Sequence, residues 1–361
     1  MSDEITFETR GPLGLITLTR PKALNALTLE MIRLMHPQLD SWAEDDSIKA
    51  VAIRGAGDRA FCAGGDVRAV WSAGQDGEHS PGKRGHLAGD FFREEYLLNR
   101  RIHTFEKPYV ALIDGIVMGG GVGLSIHGDI RLGGERSLFA MPETAIGLFP
   151  DVGGSYFLPR LPLGAGLGLY LALTGNRLKA VDCLTAGIAT HLIGDAEEEA
   201  IISALEAADW SLGLAGGEAA LLPLTQTEPP AGSLEPQLAA IKQCFTGKAS
   251  VESVIEALEA LGNDWAKETL ETLSKRSPTS LKVAFEQLRQ GAALDFDDCM
   301  IMEYRLSQAA MRPGSDFYEG IRAVLVDKDH APLWNPDSLA GVTSQDVGSW
   351  FAPLGDNDLS F

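Results

Sequence analysis

The chain has 361 residues, of which 45% are hydrophobic and 22% charged, enough apolar material for one large core or two smaller ones and too much for a disordered chain. Thirty basic residues stand against 50 acidic ones, a net charge of −20, and that balance opposes attraction to nucleic acid or anionic membranes. The opening MSDEITFETR is polar and acidic and no hydrophobic run reaches membrane length, so a cytoplasmic chain without nucleic-acid or membrane partners is expected.

In chain order, strand-like runs fall at 4–8, 14–19, 49–54, 108–113 and 128–132. Helical patterns alternate with them near 28–44, 66–73 and 89–104. The alternation predicts an α/β fold. After about residue 200 the pattern becomes amphipathic and helical, as in EEEAIISALEAAD and VESVIEALEAL, with LTQTEPPAGSLEP reading as a connecting loop. The expected division is therefore a core over 1–200 and a mainly helical region over 201–361 that packs on the core or on a neighbouring subunit of a homo-oligomer.

Two glycine-rich turns interrupt the first part. The buried strand pattern KAVAIRGAG leads to Phe61-Cys62-Ala63-Gly64-Gly65-Asp66 and the helical VRAVW. The second, PYVALI, leads through Asp114 and Gly115 to Gly119, Gly120 and Gly121 and an apolar helix. Glycines at such turns let the backbone approach a ligand and aim free N–H groups at an oxygen. Two turns converging on one carbonyl would form an oxyanion hole. Taken singly, each cluster is also accounted for by tight helix–sheet packing.

Residues 141–161, MPETAIGLFPDVGGSYFLPRL, hold Glu143 and Asp151 among apolar residues, with Arg160 as the only cation. Carboxylates held where water is scarce have raised pKa values suited to proton transfer or attack on an electrophile. An unbroken helix would place them about 12 Å apart, but Gly147 and Pro150 break it, which predicts a turn that brings both toward one cavity. The same residues also fit capping, with Pro142 opening a short helix and Asp151 as the N-cap of a second helix through Leu158.

Other signals are weaker. Cys62, Cys183, Cys244 and Cys299 stand far apart without a CxxC pair, so reduced thiols are expected, with no disulfide framework and no zinc site. His127 and His191 read as structural because neither has the further members a catalytic constellation needs. Residues 77–83 satisfy GxxxxGK, but Arg84 replaces the Ser/Thr and no strand precedes the match, which is dismissed.

Together these pieces resemble the crotonase, or enoyl-CoA hydratase/isomerase, superfamily. The resemblance runs through RPKALNAL, AFCAGGDV, KPYVALIDGIVMGGGVGL, FAMPETAIGLFPDVGGSYFLPRL and LTGNRLKAVDCLTAGIATHLI, with an echo in EGIRAVLVDKDHAPLWNP. It implies a core of repeated ββα turns and a coenzyme A thioester substrate whose carbonyl lies between the amides of Gly65 and Gly120. It implies no resident cofactor or metal, coenzyme A being part of the substrate. Lys22, Ala23 and Ala63 carry over as substrate-binding positions. To accommodate the phosphates, Lys22, Arg54, Arg68 or the pair Lys83 and Arg84 would have to make a local basic patch.

The chain departs from the hydratase pattern at one telling place. Hydratases carry GGGCE, whose glutamate is Gly123 here, and a second glutamate in the PE motif, which survives as Glu143. Asp151 stands where hydratases have glycine. GGGVGLS with PETAIGLFPDVGG is similar to the 3-hydroxyisobutyryl-CoA hydrolase branch, whose members cleave a thioester in valine breakdown. By that resemblance Glu143 activates water or attacks the carbonyl, Asp151 orients substrate or water, and Glu95, in FFREEYLLNR, lines the acyl pocket and bonds the substrate hydroxyl, although beside Arg93 and Glu94 it reads equally as a solvated helix charge. Hydratase or isomerase chemistry with Glu143 alone is the nearer alternative, and an RNA-binding crotonase fold the remoter one.

Overall fold

The computed structural model describes residues 3–75, 82, 84–194, 196–227 and 229–361. They form two compact units, the first from the described residues of Met1–Gly65, Leu97–Phe139 and Arg177–Glu235, the second from those of Asp66–Tyr96, Ala140–Asn176 and Pro236–Phe361. The expected division at residue 200 does not match these units, because each unit returns to the chain three times. Only the loop LTQTEPPAGSLEP coincides with a crossing from one unit to the other.

The first unit is built on a six-stranded sheet. Its strands are β1 (Ile5–Arg10), β2 (Leu13–Leu18), β3 (Ala50–Gly55), β5 (Tyr109–Leu112), β7 (Ile130–Gly133) and β10 (His191–Leu192), in the order β1-β2-β3-β5-β7-β10. β1 and β2 form an antiparallel hairpin pairing Ile5 with Leu18 and Arg10 with Leu13, and the remaining pairs are parallel. Parallel strands buried on both faces read as unbroken apolar runs, which is why LGLITL and YVAL are buried throughout. One face packs Leu13, Leu15, Ala52, Val110 and Ile130 against Ile202, Leu205 and Trp210.

A second sheet takes the order β4 (Ala60–Cys62), β6 (Ile116–Met118), β8 (Leu138–Ala140) and β9 (Leu178–Lys179). These strands of two or three residues carry too little periodicity to be seen in the sequence, unlike the long strands and the helices Leu29–Glu44, Val67–Gly74 and Leu87–His103, which fall where expected.

The second unit is mainly helical. Helices Pro278–Gly291 and Phe296–Ala310 each bury most of one face, and beyond residue 235 the described residues form helices and turns without a named strand. Among the described residues no helix is long and apolar enough to cross a membrane, and no group of three or more His, Cys, Asp or Glu side chains is arranged to hold a metal. None of the four cysteines is in a disulfide, and all are buried.

Candidate active site

In the first unit the two glycine turns meet. The helix Gly120–Gly123 starts directly after β6, with Gly119 in front of it at φ 46°, so the Gly120 amide sits in a first turn, where N–H groups lack an intrahelical acceptor. A Cβ on Gly121 would collide with the carbonyl oxygen of Cys62, and one on Gly64 would lie 3.6 Å from the carbonyl oxygen of Met118. Gly121 thus has no room for a side chain where the two turns approach, and Gly64, at φ 120°, takes an angle that favours glycine.

The segment 20–27 clamps the first of these turns. Asn25, with φ 55°, donates from Nδ2 to the carbonyls of Ala56 at 3.0 Å and Ala60 at 2.8 Å, and its Oδ1 accepts from the Arg20 amide at 3.0 Å. The amide of Ala63 donates to Leu24 O at 3.0 Å and that of Leu27 to Gly64 O at 2.9 Å. Lys22 and Ala23 lie exposed on the short turn Pro21–Ala23, while Ala63 and Gly65 are half-buried. The basic patch is only partly available: Arg54 is committed to Thr17 Oγ1 at 3.0 Å and Glu198 Oε1 at 2.6 Å. Lys83 and most of the GxxxxGK run lie outside the described residues. His191 Nδ1 lies 2.9 Å from Thr190 Oγ1 and His127 stacks edge-on against His103, the structural settings expected of them.

The acids come together in the second unit. Glu143 opens a single 3-10 turn, Glu143–Ile146, closed by Gly147 at φ 70°. A Cβ on Gly147 would strike the main chain of Asp316, and one on Gly320 that of Ile146, so the turn is pressed against the helix Asp316–Ile321. Ser277 fixes the same place, its amide donating to Thr144 O at 3.2 Å and its hydroxyl to Asp316 Oδ2 at 2.5 Å.

Asp151 is not the helix cap that its sequence context allowed. The following helix is shorter, Gly154–Phe157, with Gly153 at the N-cap. The Asp151 carboxylate instead accepts from the hydroxyl of Tyr96, Oη to Oδ2 at 2.9 Å. Glu95 and Tyr96 are presented by the helix Leu87–His103, and Glu303 by the helix Phe296–Ala310. All five side chains are buried, with Glu143 and Asp151 each only 4% exposed.

Four carboxyls thus crowd a dry interior, and the charges acting on Glu95, Glu143 and Glu303 are those of the other acids. Burial pushes Asp151 up to about 7 against the pull of the Tyr96 hydroxyl. Burial raises Glu143 and Glu95 well above the usual carboxylate range, and the charge of Asp151 raises both further. Glu303 is pushed up to about 8 by burial, while bonds from Ser155 and Gly153 pull the other way. Oε2 of Glu143 and Oε1 of Glu95 are buried and accept no hydrogen bond from the described residues. A buried oxygen left in this state is costly unless a ligand completes it.

The structure therefore brings Glu95, Glu143 and Asp151 together, and separately Gly65, Gly120 and Ala63 with the segment of Lys22 and Ala23. The sequence reading missed Tyr96, Glu303 and the clamping Asn25. One signal was present for Glu303: in CMIMEYRL it is the only acid among apolar residues, one turn from Cys299 and Ser307 on a helix.

The profile of the enoyl-CoA hydratase/isomerase family matches residues 13–351. The chain belongs to that family and has its α/β crotonase-like fold. Among its relatives are mitochondrial 3-hydroxyisobutyryl-CoA hydrolases. That of Xenopus tropicalis is 52% identical over 97% of this chain and 89% of its own length, and that of Homo sapiens 49% identical over 100% and 91%. Of the solved structures it resembles, a carnitinyl-CoA dehydratase from Mycobacterium thermoresistibile is 40% identical with a TM-score of 0.89, over 100% of this chain and 99% of that one. An enoyl-CoA hydratase from Rhodobacter sphaeroides 2.4.1 is 38% identical with a TM-score of 0.88, over 99% and 100%. The expected cytoplasmic location is overturned, since both hydrolase relatives are named as mitochondrial. The polar first ten residues carry no weight against that.

Proposed function

We propose that this chain hydrolyses the thioester of 3-hydroxyisobutyryl-CoA, releasing free coenzyme A and 3-hydroxyisobutyrate, a step of valine breakdown. The observation that carries the reading is the buried acid cluster: Glu143 holds an unpartnered oxygen beside Asp151, in a chain with Gly123 where hydratases have their other glutamate. The names of the relatives at 52% and 49% identity support the same substrate.

In this reading the amides of Gly65 and Gly120 hold the thioester oxygen as it becomes an oxyanion, each donor contributing on the order of 3 kcal/mol in the transition state. Glu143 acts in its ionised form by one of two routes. It takes a proton from a water that adds to the acyl carbon, and the tetrahedral adduct then expels the CoA thiolate, or it attacks that carbon itself, expelling the thiolate and leaving an acyl–glutamyl anhydride that water opens. Asp151 orients the water or the acyl group and carries the proton that its neighbour cannot hold while ionised, because adjacent carboxyls resist ionising together. Glu95 Oε1 accepts from the substrate hydroxyl. Lys22, Ala23 and Ala63 contact the coenzyme A part, which is substrate, and the chemistry calls on no resident cofactor.

The test is release of free thiol, followed with a colorimetric reagent, from 3-hydroxyisobutyryl-CoA and from crotonyl-CoA. Thiol from the first and none from the second supports the proposal. Hydration of crotonyl-CoA with no thiol from either overturns it in favour of hydratase chemistry.

A further inference from the structure

Glu303 lies outside every stretch that carries the family resemblance, yet its carboxylate has the most donors of the four. It is fully buried on the helix Phe296–Ala310. Its Oε2 accepts from the Gly153 amide at 2.8 Å, and its Oε1 from the Ser155 amide at 2.9 Å and from the Ser155 hydroxyl. The recipient segment begins at Asp151.

That segment does not hold its shape unaided. Val152 sits at φ 53° and Gly153 at φ 90°. Two successive left-handed residues, the first β-branched, form a conformation that surrounding contacts must impose. On the side preceding Asp151, Gln287 Nε2 donates to Pro150 O at 2.6 Å. On the side following it, Glu303 takes the amides of Gly153 and Ser155. The side chain between these two anchors is held by Tyr96.

We propose that Glu303 is a positioning residue for Asp151: by gathering the Gly153 and Ser155 donors it fixes the left-handed turn that aims the Asp151 carboxylate. In its ionised form, which the three donors favour, Glu303 accepts from all of them, whereas an amide in its place would set its own NH2 against one of them. The inference rests on the reading in which Asp151 takes part in thioester hydrolysis.

The experiment uses the full chain and compares Glu303→Gln, Asp151→Asn and the double variant by thiol release from 3-hydroxyisobutyryl-CoA, with circular dichroism to establish folding. Glu303→Gln is expected to lower kcat about 30-fold while KM stays within about threefold. Because Glu303 acts through Asp151, the double variant is expected to match Asp151→Asn within about twofold instead of multiplying the two losses. A purely structural role would multiply them. Should Glu303→Gln fail to fold, Ser155→Ala, which removes one donor and leaves the carboxylate, takes its place in the same cycle, with an expected kcat loss of about fivefold. Impaired Asp151→Asn beside a Glu303 variant of normal kcat, or multiplied losses in the double variant, would overturn the inference and leave the hydrolase reading intact. Normal turnover in Asp151→Asn would remove Asp151 from that reading and take this inference with it.

Discussion

The second unit contains two acid-rich clusters that differ in one respect. Glu319, Asp327 and Asp329 gather around Arg322, with nitrogen–oxygen distances of 2.7, 2.7 and 2.6 Å, in a partly exposed turn. Arg322 holds the Glu319 carboxyl below its ordinary range. Glu95, Glu143, Asp151 and Glu303 have no such cation among the described residues, and burial drives all four upward. The same residue type is thus a solvated brace in one place and, in the reading proposed for Glu143, a poised reagent in the other. What separates them is the free energy of ionisation, which rises when a charge is taken from water without a partner. EGIRAVLVDKDHAPLWNP, the fainter part of the family resemblance, supplies the first kind: its acids close the turn around Arg322.

The sharpest way to break this contrast is Glu143→Gln. Thiol release from 3-hydroxyisobutyryl-CoA is expected to fall by about 10³-fold or more, since the carboxylate that accepts the proton or attacks the carbon is lost. Far-UV circular dichroism should not change, because the amide occupies nearly the same volume. Wild-type turnover in this variant would make the buried cluster as chemically idle as the exposed one. Asp151→Asn comes next, with an expected loss of about 10²-fold in kcat. Its hydrogen bond from Tyr96 can persist at the amide oxygen, so the loss should appear in turnover more than in KM. An equal rise in KM would instead mark Asp151 as a binding residue.

The pH dependence of stability sharpens the comparison further. Burial pushes Asp151 from its ordinary value of 3.8 up to about 7, so the folded chain binds a proton there that the unfolded chain releases. Unfolding free energy from this group is therefore greatest below pH 4 and is lost as pH rises toward 7, by on the order of a few kcal/mol. Glu303, pushed up to about 8, extends the same fall. Asp151→Asn lacks its share, so the urea midpoint of the variant should gain on that of the wild type between pH 5 and pH 8. Parallel pH curves would mean that Asp151 is as well solvated as Asp329.

Much of the fold was legible because its signals are local. β2, β3 and β5 are apolar runs bounded by turns, and the helix Leu29–Glu44 announces itself with Thr28, whose hydroxyl caps Met31. Glu143 and Asp151 were legible for a similar reason, as two acids in a run otherwise apolar. Glu303 carried only the faint signal of a lone acid in CMIMEYRL, and its partnership with Gly153 and Ser155, which spans about 150 residues, has no trace in either stretch. The division at residue 200 failed for the same cause. Composition changes there, but compactness depends on contacts, and the chain weaves between units at Gly65, Tyr96, Phe139 and Asn176. Asp151 shows the limit from the other side: its cap-like sequence context was real, yet Val152 and Gly153 take left-handed angles that turn the side chain to Tyr96 instead.

The smallest expected effect lies in the exposed cluster. Glu319→Gln removes one of three carboxylates around Arg322, and the remaining pairs to Asp327 and Asp329 still occupy the guanidinium. Glu319 also accepts from the Leu333 amide at 2.7 Å, a bond that the glutamine oxygen can keep. Exposed ion pairs contribute little because water and salt already screen them, so the melting temperature should fall by less than about 2 °C. Turnover should stay at the wild-type value at any ionic strength. A loss of kcat comparable to that of Asp151→Asn would show that the Arg322 turn takes part in the reaction, and the contrast between a paired and an unpaired acid would no longer separate brace from reagent.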